Sequence, residues 1–242
     1  MRQDWALSAV IVAVGVAVGG WFIGHGFAEG RRGDRFVTVK GLAERNVRAD
    51  LALWPLQFVT TGDNLAQTQT TIERDIHLTY AFLARHGVDT AQVQRQNLQV
   101  TDVMANPYRQ GPVGARYIVS QQLMVRSDQP EKILAASQQV GELVQQGVVL
   151  GGEGGPSSTS PTYLFTKLND LKPAMIGEAT ASAREAAEKF AADSKSRLGG
   201  IRQASQGIFV ILPRDQAPGI SEESQIDKTV RVVSTLEYYL EQ

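Results

Sequence analysis

Arg116-Tyr-Ile-Val-Ser-Gln-Gln-Leu-Met-Val-Arg126 is the stretch that most directly indicates how this chain folds. Its side chains alternate along most of its length, with one face carrying Tyr117, Val119, Leu123 and Val125 and the other Ser120, Gln122 and Arg126. A period of two residues is typical of a β-strand with one face buried and the other exposed. We therefore predict a half-buried strand at 116–126.

The elements on either side of this strand give the order of the fold. Apolar periodicity predicts three helices, at about 64–87, 130–147 and 170–199. The first is expected to be capped by Asp63 or Asn64 and ended by Gly87, with an apolar stripe at Leu65, Ile72, Ile76, Tyr80 and Leu83. β-rich runs predict further strands at 36–41, 47–60, 93–103, 163–168, 207–212 and 229–240. The order ββαββα, then βαββ, indicates an α+β fold in which antiparallel sheets pack with three helices, rather than a parallel wound sheet.

Three local features refine this arrangement. The strands at 36–41 and 47–60 are expected to form a hairpin, and Pro55 should lie at a sheet edge or a bulge because proline has no N–H to donate. The third helix is rich in alanine, which implies close packing against a sheet or another helix. Its predicted inward stripe is Met175, Ala179, Ala183, Ala186, Phe190 and either Ser194 or Leu198, and Gly199-Gly200 are expected to end it.

The chain begins with an apolar segment, from Trp5 to Phe27, that contains no Asp, Glu, Lys or Arg in 23 residues. A helix of this length, at about 1.5 Å per residue, spans a bilayer core of about 30 Å. We predict one N-terminal transmembrane helix within 1–28, a charged connector at 29–35 and a folded domain at 36–242. A cleavable secretory signal is the alternative, although its apolar region normally covers only about 7 to 15 residues.

Several residues of this segment suggest how it would pack. Gly15 and Gly19 are four residues apart, as are Gly20 and Gly24, so each pair would let a second helix approach closely. Aromatic side chains are typical of the membrane interfaces. Interfacial anchors are therefore expected at Trp5, Trp21 and Phe22.

Composition excludes several classes of function. The chain has no Cys, which removes disulfides, thiol nucleophiles and thiolate metal sites. Its 24 basic and 25 acidic side chains give a net charge of −1, whereas a nucleic-acid-binding protein normally carries a basic excess or a basic stripe. We therefore expect no nucleic-acid partner.

Patterns for catalysis or metal binding are weak. His77 and His86 are nine residues apart on a predicted helix and face opposite sides, so they cannot share one ion. Glu73 lies four residues before His77, but an isolated pair of this kind is usually solvated. Carboxylates without any pattern of convergence include Asp50, Asp102 and Asp170. We predict no catalytic residue, no cofactor and no metal site.

Two loops rich in Gly and Pro, at 105–114 and 151–161, interrupt the domain. The second contains Gly151-Gly-Glu-Gly-Gly155 but lacks the spacing of the phosphate-binding glycine motifs. Glutamines recur on the two strands that flank the first loop, at Gln94, Gln96, Gln99, Gln121 and Gln122. They predict either a polar surface between subunits or a solvent-exposed sheet face without charges.

Several short motifs occur in order along 36–242. They are Val37-Thr-Val-Lys-Gly41, Arg116-Tyr117 at the start of a strand, Tyr163-Leu-Phe165 before the alanine-rich helix, and Thr229-Val-Arg-Val-Val-Ser-Thr-Leu-Glu237. In this order they make the chain resemble the SIMPL-domain family of bacterial cell-envelope proteins, which includes periplasmic immunogenic proteins. The closing segment looks like a membrane-anchored branch of that family.

The resemblance implies a periplasmic α+β protein that forms large ring- or cage-like homo-oligomers, with a role in oxidative or envelope stress and no agreed activity. We therefore expect a non-enzymatic protein of the bacterial inner membrane whose large domain lies in the periplasm and self-assembles. Its partners would be other copies of itself and the bilayer, through residues 5–27.

Other interpretations stay open. A monomeric periplasmic binding module would hold a small ligand or an envelope protein in a cleft beside 105–114 and 151–161, and a hydrolase is a further alternative.

The side of the membrane on which the domain lies is also open. Arg2 precedes the apolar segment, whereas Arg31, Arg32, Arg35 and Lys40 follow it, so the positive-inside rule favours a cytoplasmic domain. Long domains translocate largely regardless of this rule, and secretion after signal cleavage is another possibility.

Overall fold

The computed structural model describes residues 13–25, 35–105, 114–151 and 160–241. The α-helices in these ranges are α1 (13–25), α2 (Leu65–Arg85), α3 (Pro130–Gln138), α4 (Gly141–Gln145) and α5 (Leu168–Asp193). The strands are β1 (Phe36–Arg48), β2 (Leu51–Gly62), β3 (Val93–Asp102), β4 (Tyr117–Ser127), β5 (Thr162–Leu164), β6 (Arg197–Gln206), β7 (Val210–Pro213) and β8 (Asp227–Glu241).

The strands form two sheets. Sheet A has the order β1-β8-β6, with β7 also paired to β8, and sheet B has the order β3-β4-β2-β5. β4 pairs antiparallel with β2 and β3, β5 with β2, and β8 with β6 and β7, which confirms a mixed helix and sheet fold with antiparallel sheets. The predicted second helix is broken into α3 and α4, which are separated by Gln139 and Val140.

β1 and β2 do not form the predicted hairpin. β1 lies beside β8 in sheet A, where the Leu240 N–H donates to the Arg35 carbonyl oxygen at 2.9 Å. β2 instead pairs with β4 over eleven positions, from Ala52 to Gly62. The short link between β1 and β2 therefore carries the chain from one sheet to the other, because each strand finds its partner far along the chain.

Pro55 lies inside β2, opposite Met124. β5 pairs only with Leu51, Ala52 and Leu53, so Pro55 lies beyond that short ladder. The strand thus has local edge character at Pro55, where a residue without an N–H is tolerated.

The described chain divides into two compact units. Unit 1 comprises Met1–Ala43, Ala174–Phe209 and Val232–Gln242, and unit 2 comprises Glu44–Pro173 and Val210–Arg231. β1 and β8 each continue from one unit into the other. Each unit has its own cluster of buried apolar residues.

The core of unit 2 lies between α2 and the inner faces of β2 and β4. Its largest fully buried side chains include Trp54, Leu56 and Phe58 of β2 and Leu123 of β4. The inward face predicted for 116–126 is confirmed at Val119, Leu123 and Val125, which are all buried. The α2 stripe predicted from its periodicity is confirmed at Ile72, Ile76 and Leu83, which are fully buried, and Tyr80 packs against this core while partly buried. The prediction is wrong at Leu65, which is 40% exposed in the first turn of the helix.

Both ends of α2 have the expected chemistry. Asn64 is the N-cap, and its Oδ1 accepts hydrogen bonds from the N–H groups of Ala66 at 2.9 Å and Gln67 at 3.2 Å. Gly87 follows the helix with a φ of 70°, a left-handed conformation that glycine adopts without strain. A side-chain cap of this kind stabilises a helix by about 1 kcal/mol.

The core of unit 1 is formed by the alanine face of α5 against β1 and β8. The buried residues of α5 recur every fourth position, at Met175, Ala179, Ala183, Ala187 and Ala191. Ala186 also packs against this core while partly buried, but the prediction is wrong at Phe190, which is 58% exposed. Ser194 and Leu198 lie beyond the end of the helix at Asp193. Apart from Met175, every residue on this face of the helix is alanine. Because these side chains are small, the helix lies very close to the strands.

Gly41 of β1 is the point of closest approach. A Cβ built at this position would lie 1.8 Å from the Ala179 carbonyl oxygen and 2.8 Å from the Ala183 Cβ. No side chain fits there without moving the helix away from the sheet.

The C-terminal end of α5 differs from the prediction. The helix ends at Asp193, Lys195 adopts a φ of 54°, and the chain enters β6 at Arg197. Gly199 and Gly200 therefore lie in a strand that the sequence did not predict, rather than at the end of the helix.

α1 covers 13–25, a shorter stretch than the predicted segment from Trp5 to Phe27. None of the helices in the described ranges combines the length and hydropathy needed to cross a membrane, so the predicted transmembrane helix is not confirmed. A span needs about 20 apolar residues, and the two ends of the predicted segment lie outside the described ranges.

We predict that Gly41→Ala lowers the free energy of unfolding by about 3 kcal/mol, because the new methyl group forces α5 away from β1. The measurement is urea denaturation of the full chain, followed by circular dichroism. Gly200→Ala is the matched control, since a Cβ at that position meets nothing within 4 Å. Equal losses in the two variants would contradict the prediction.

Candidate functional site

The outer face of sheet B carries rows of uncharged side chains. The strand register aligns Gln96, Gln122 and Gln57 in one row across β3, β4 and β2. The two following rows are Gln99, Ser120 and Val59, and then Thr101, Ile118 and Thr61. The predicted glutamine-rich surface is thus assembled by the pairing of three strands, one of which contributes Gln57 from a distant part of the sequence.

A β-bulge in β3 shapes one end of this face. The register shifts between Gln96 and Gln99, and Asn97 adopts a φ of 53°. The Gln121 amide, on the buried side, donates to the Gln96 carbonyl oxygen at 2.7 Å, and the Asn97 amide donates to Gln122 Oε1 at 2.8 Å. Gln121 therefore holds the bulge from inside, a role that glutamine content alone did not distinguish from that of Gln122.

A groove of about 510 Å³ runs over this face. Its described lining consists of Gln57, Val59, Gln99, Thr101, Ile118, Ser120, Val149 and Gly151. None of these residues is charged. Within the described part of the chain, the side chains of Gln57, Gln99, Thr101 and Ser120 make no hydrogen bond to the protein.

The groove begins where the two predicted loops leave the sheet. Gly151 lines it directly, and its N–H donates to the Gln57 carbonyl oxygen at 3.0 Å. Most of each loop, at 106–113 and 152–159, lies outside the described residues. The groove is the feature that the alternative of a binding module requires.

Of the three scattered carboxylates, Asp50 and Asp102 have structural partners, and Asp170 lies in the first turn of α5. Asp50 accepts hydrogen bonds from the Thr166 N–H at 2.6 Å and the Thr166 hydroxyl at 2.7 Å. Burial opposes ionisation of Asp50, but the bonds from Thr166 outweigh it, so the pKa of Asp50 lies below its ordinary value. The hydrogen bond from Arg116, at 2.9 Å, likewise lowers the pKa of Asp102.

The acidic residues near the two histidines of the domain also interact with other side chains of the protein. Glu73 accepts from Arg95 Nη1 at 3.0 and 3.2 Å, so this carboxylate is paired across to β3 rather than held for His77. His86 Nε2 lies 3.6 Å from Glu142 Oε1. In 13–25, 35–105, 114–151 and 160–241, no group of three or more His, Cys, Asp or Glu residues could hold a metal ion.

Lys228 is a fully buried lysine near the start of β8. Its Nζ donates to the Glu222 carbonyl oxygen at 2.6 Å and forms an ion pair with the Glu222 carboxylate. A buried charge needs such partners to offset its lost hydration. Lys228 therefore fastens the turn at Glu222–Ser224 onto sheet A.

The membrane-related residues fall partly within the structure. Gly15, Gly19, Gly20 and Gly24 lie on α1, and a Cβ at any of them would meet nothing within 4 Å. Trp21 and Phe22 are exposed, with their ring centroids 5.3 Å apart, whereas Trp5 lies outside the described residues.

The fold and this site define a mixed α/β protein with antiparallel sheets and an uncharged groove. The SIMPL family, described as a protein of unknown function (DUF541), matches residues 37–235. The match covers most of the chain, and this chain therefore belongs to the SIMPL family. No curated protein matches the sequence significantly.

We predict that Asp50→Asn lowers the free energy of unfolding by about 1 kcal/mol at neutral pH, because an amide nitrogen cannot accept the Thr166 hydrogen bond. The pKa of Asp50 is lowered in the folded state, so its contribution is complete above the unfolded pKa and is lost as pH falls through the folded pKa. Denaturation curves of the two proteins should therefore converge as the solution is acidified.

Asp215→Asn provides the control for this prediction. The Asp215 carboxylate makes no hydrogen bond within the described ranges, although the backbone of Asp215 bonds to Gln225. We expect this variant to match the wild type at both pH values. A difference between wild type and Asp50→Asn that persists in acid would contradict the assignment of the effect to the ionised carboxylate.

Proposed function

We propose that this SIMPL protein is a non-enzymatic component of the bacterial cell envelope that is anchored in the inner membrane and self-assembles through its folded domain. The observation that carries the proposal is the exposure of Phe190 on the outer side of α5. The same helix buries only small residues and Met175 against its sheet, so its large aromatic side chain faces outward.

The surroundings of Phe190 support a protein partner. Phe190 borders a groove of about 250 Å³ together with Ala186, Lys189 and Asp193. Exposed aromatic side chains are enriched at protein interfaces, and the small Ala186 leaves space for a partner's side chain. Lys189 and Asp193 carry opposite charges, so in a two-fold arrangement each would meet its complement on a second copy.

The anchor is supported by the character of the N-terminal segment. Val16, Trp21 and Ile23 on α1 are 71%, 61% and 74% exposed, which is unfavourable for apolar side chains in water. The segment from Trp5 to Phe27 lacks any charged residue, and a bilayer would cover these side chains. The pair Gly15 and Gly19 would bring the helices of two copies together.

A role without catalysis is supported by how the polar groups are used. Asp50, Asp102 and Lys228 each form hydrogen bonds or ion pairs that hold secondary structure together. The periplasmic location of the domain and a role in envelope stress belong to the proposal and rest on the family resemblance.

We predict that Phe190→Asp reduces the mass of the detergent-extracted full-length protein, measured by light scattering, from an assembly to a smaller species. A carboxylate at an apolar contact loses hydration without gaining a partner, and such a change at an interface centre weakens binding about 30-fold or more. Circular dichroism should be unchanged, because Phe190 does not contribute to the core.

Val144→Asp on α4 is the matched control, since Val144 is 59% exposed and Phe190 is 58% exposed. We expect this variant to assemble like the wild type. A wild-type protein that is monomeric at high concentration would overturn the proposal of self-assembly. An assembly that both substitutions leave unchanged would place the interface elsewhere.

We predict that the domain is accessible from the periplasmic side. The chain has no Cys, so Ala91→Cys introduces a single thiol at an exposed position of the domain. A membrane-impermeant maleimide should label this variant in intact bacterial spheroplasts, whereas Gln3→Cys should be labelled only after lysis. The reverse pattern would indicate a cytoplasmic domain, and release of the protein by an alkaline carbonate wash would contradict the anchor.

A further inference from the structure

The groove on the outer face of sheet B is not needed for the proposed assembly through α5, and its lining has a distinct chemistry. We propose that this groove binds a small uncharged ligand rich in hydroxyl and amide groups, with the size of a neutral disaccharide. The proposal goes beyond the proposed function and uses only residues of unit 2.

The absence of charge from the described lining selects against ionic ligands. An ammonium or carboxylate group that enters a groove without a counter-charge loses hydration and gains no ion pair, which is unfavourable. Of the sheet B residues aligned beside the groove, Gln96, Gln122 and Thr61 are also neutral. The uncharged surface therefore extends beyond the residues that a ligand of this size would touch.

The polar groups of the groove are suited to hydroxyl and amide partners. Gln57 and Gln99 each present a carbonyl oxygen and an NH₂ group, and Thr101 and Ser120 each present a hydroxyl that both donates and accepts. Within the described residues these four side chains have no hydrogen-bond partner in the protein. Their full capacity is available to a ligand whose own groups both donate and accept, as sugar hydroxyls do.

The placement of these groups is fixed by the sheet. Gln99 lies opposite Ser120, and Ser120 lies opposite Val59, so neighbouring groups are about 4.8 Å apart across the strands. Gln99 and Thr101 are separated by two positions along β3, which corresponds to about 6.8 Å. At these spacings, the polar groups would contact several groups of one sugar ring. Because the paired strands already hold the groups in place, binding would not require them to become ordered.

Aliphatic side chains complete the site. Val59, Ile118 and Val149 offer apolar surface to the C–H groups of a ligand between the polar contacts. The groove volume of about 510 Å³ lies within the range of about 300 to 1,000 Å³ that is typical of small-molecule sites. Both the volume and the mixed lining fit a compact ligand better than a macromolecular surface.

The test is isothermal titration of the full-length protein in a detergent without a sugar headgroup. The probe is N,N′-diacetylchitobiose, which is neutral and carries both hydroxyl and amide groups. Chitobiose has the same rings but carries amino groups in place of the acetamides; at mildly acidic pH these are ammonium groups, and we expect it to bind at least tenfold more weakly than diacetylchitobiose at the same pH. Absence of binding by diacetylchitobiose at millimolar concentration, or equal binding of both probes, would overturn the proposal.

Two variants locate the site. Gln99→Met removes the amide from the groove while keeping the length of the side chain, and we expect about fivefold weaker binding from the loss of one hydrogen bond. Gln94→Met on the same strand is the control, because Gln94 does not line the groove. Equal weakening by both changes would show that the sugar binds elsewhere and would overturn the assignment.

A third titration separates this inference from the proposed function. Phe190→Asp lies outside unit 2 and should leave binding of diacetylchitobiose unchanged even when it dissociates the assembly. Binding by a wild-type protein that is itself monomeric at high concentration would support the ligand site while rejecting the assembly. A blocked neutral dipeptide without hydroxyl groups that binds as tightly as diacetylchitobiose would show that the groove does not recognise hydroxyl groups, and would overturn the assignment to a sugar.

Discussion

The contact between Gly41 and the alanine face of α5 is the constraint on which unit 1 depends. Because the helix backbone lies against the β1 backbone, only small residues fit between them. The larger side chains of the helix must then face away from the sheet. The exposure of Phe190 follows from this close packing, and the proposed surface for self-assembly is a consequence of how the helix is fitted to its strands.

The two faces of sheet B carry different kinds of side chain. Its inner face buries large residues such as Trp54 and Phe58 against α2, while its outer face carries amides and hydroxyls in register. Neutral polar residues keep that face wettable without the ion pairs that mark sheet A, where Arg231 pairs with Glu44 and Arg202 with Glu237. The two sheets therefore present different chemistry to their surroundings.

The sequence predicted the features that depend on local physics. The cap at Asn64, the stop at Gly87 and the alternation of 116–126 are each determined by a few neighbouring residues. The hairpin of β1 and β2 was wrong because strand partners are chosen by contacts with residues far along the chain. The inward stripe predicted for α5 was wrong at Phe190 for a related reason, since periodicity alone does not reveal how closely a strand approaches the helix.

Only part of the candidate site could be predicted from the sequence. The glutamines of β3 and β4 were recognised as a polar surface, but Gln57 joins them through the pairing of β2, and Gln121 turns inward to hold a bulge. A stronger signal was available in the alternation of β2, where Gln57 and Val59 fall on the face opposite Trp54 and Phe58.

The position of β8 in sheet A sets the timing of folding. β8 pairs with β1, β6 and β7, so this sheet has no central strand until residues 227–241 have been synthesised. β1 has no pairing partner in this sheet until β8, almost two hundred residues later, has been synthesised. Until then, the surface on which α5 packs is also incomplete. Sheet A thus stays incomplete until its last strand is made, whereas the four strands of sheet B all precede residue 165.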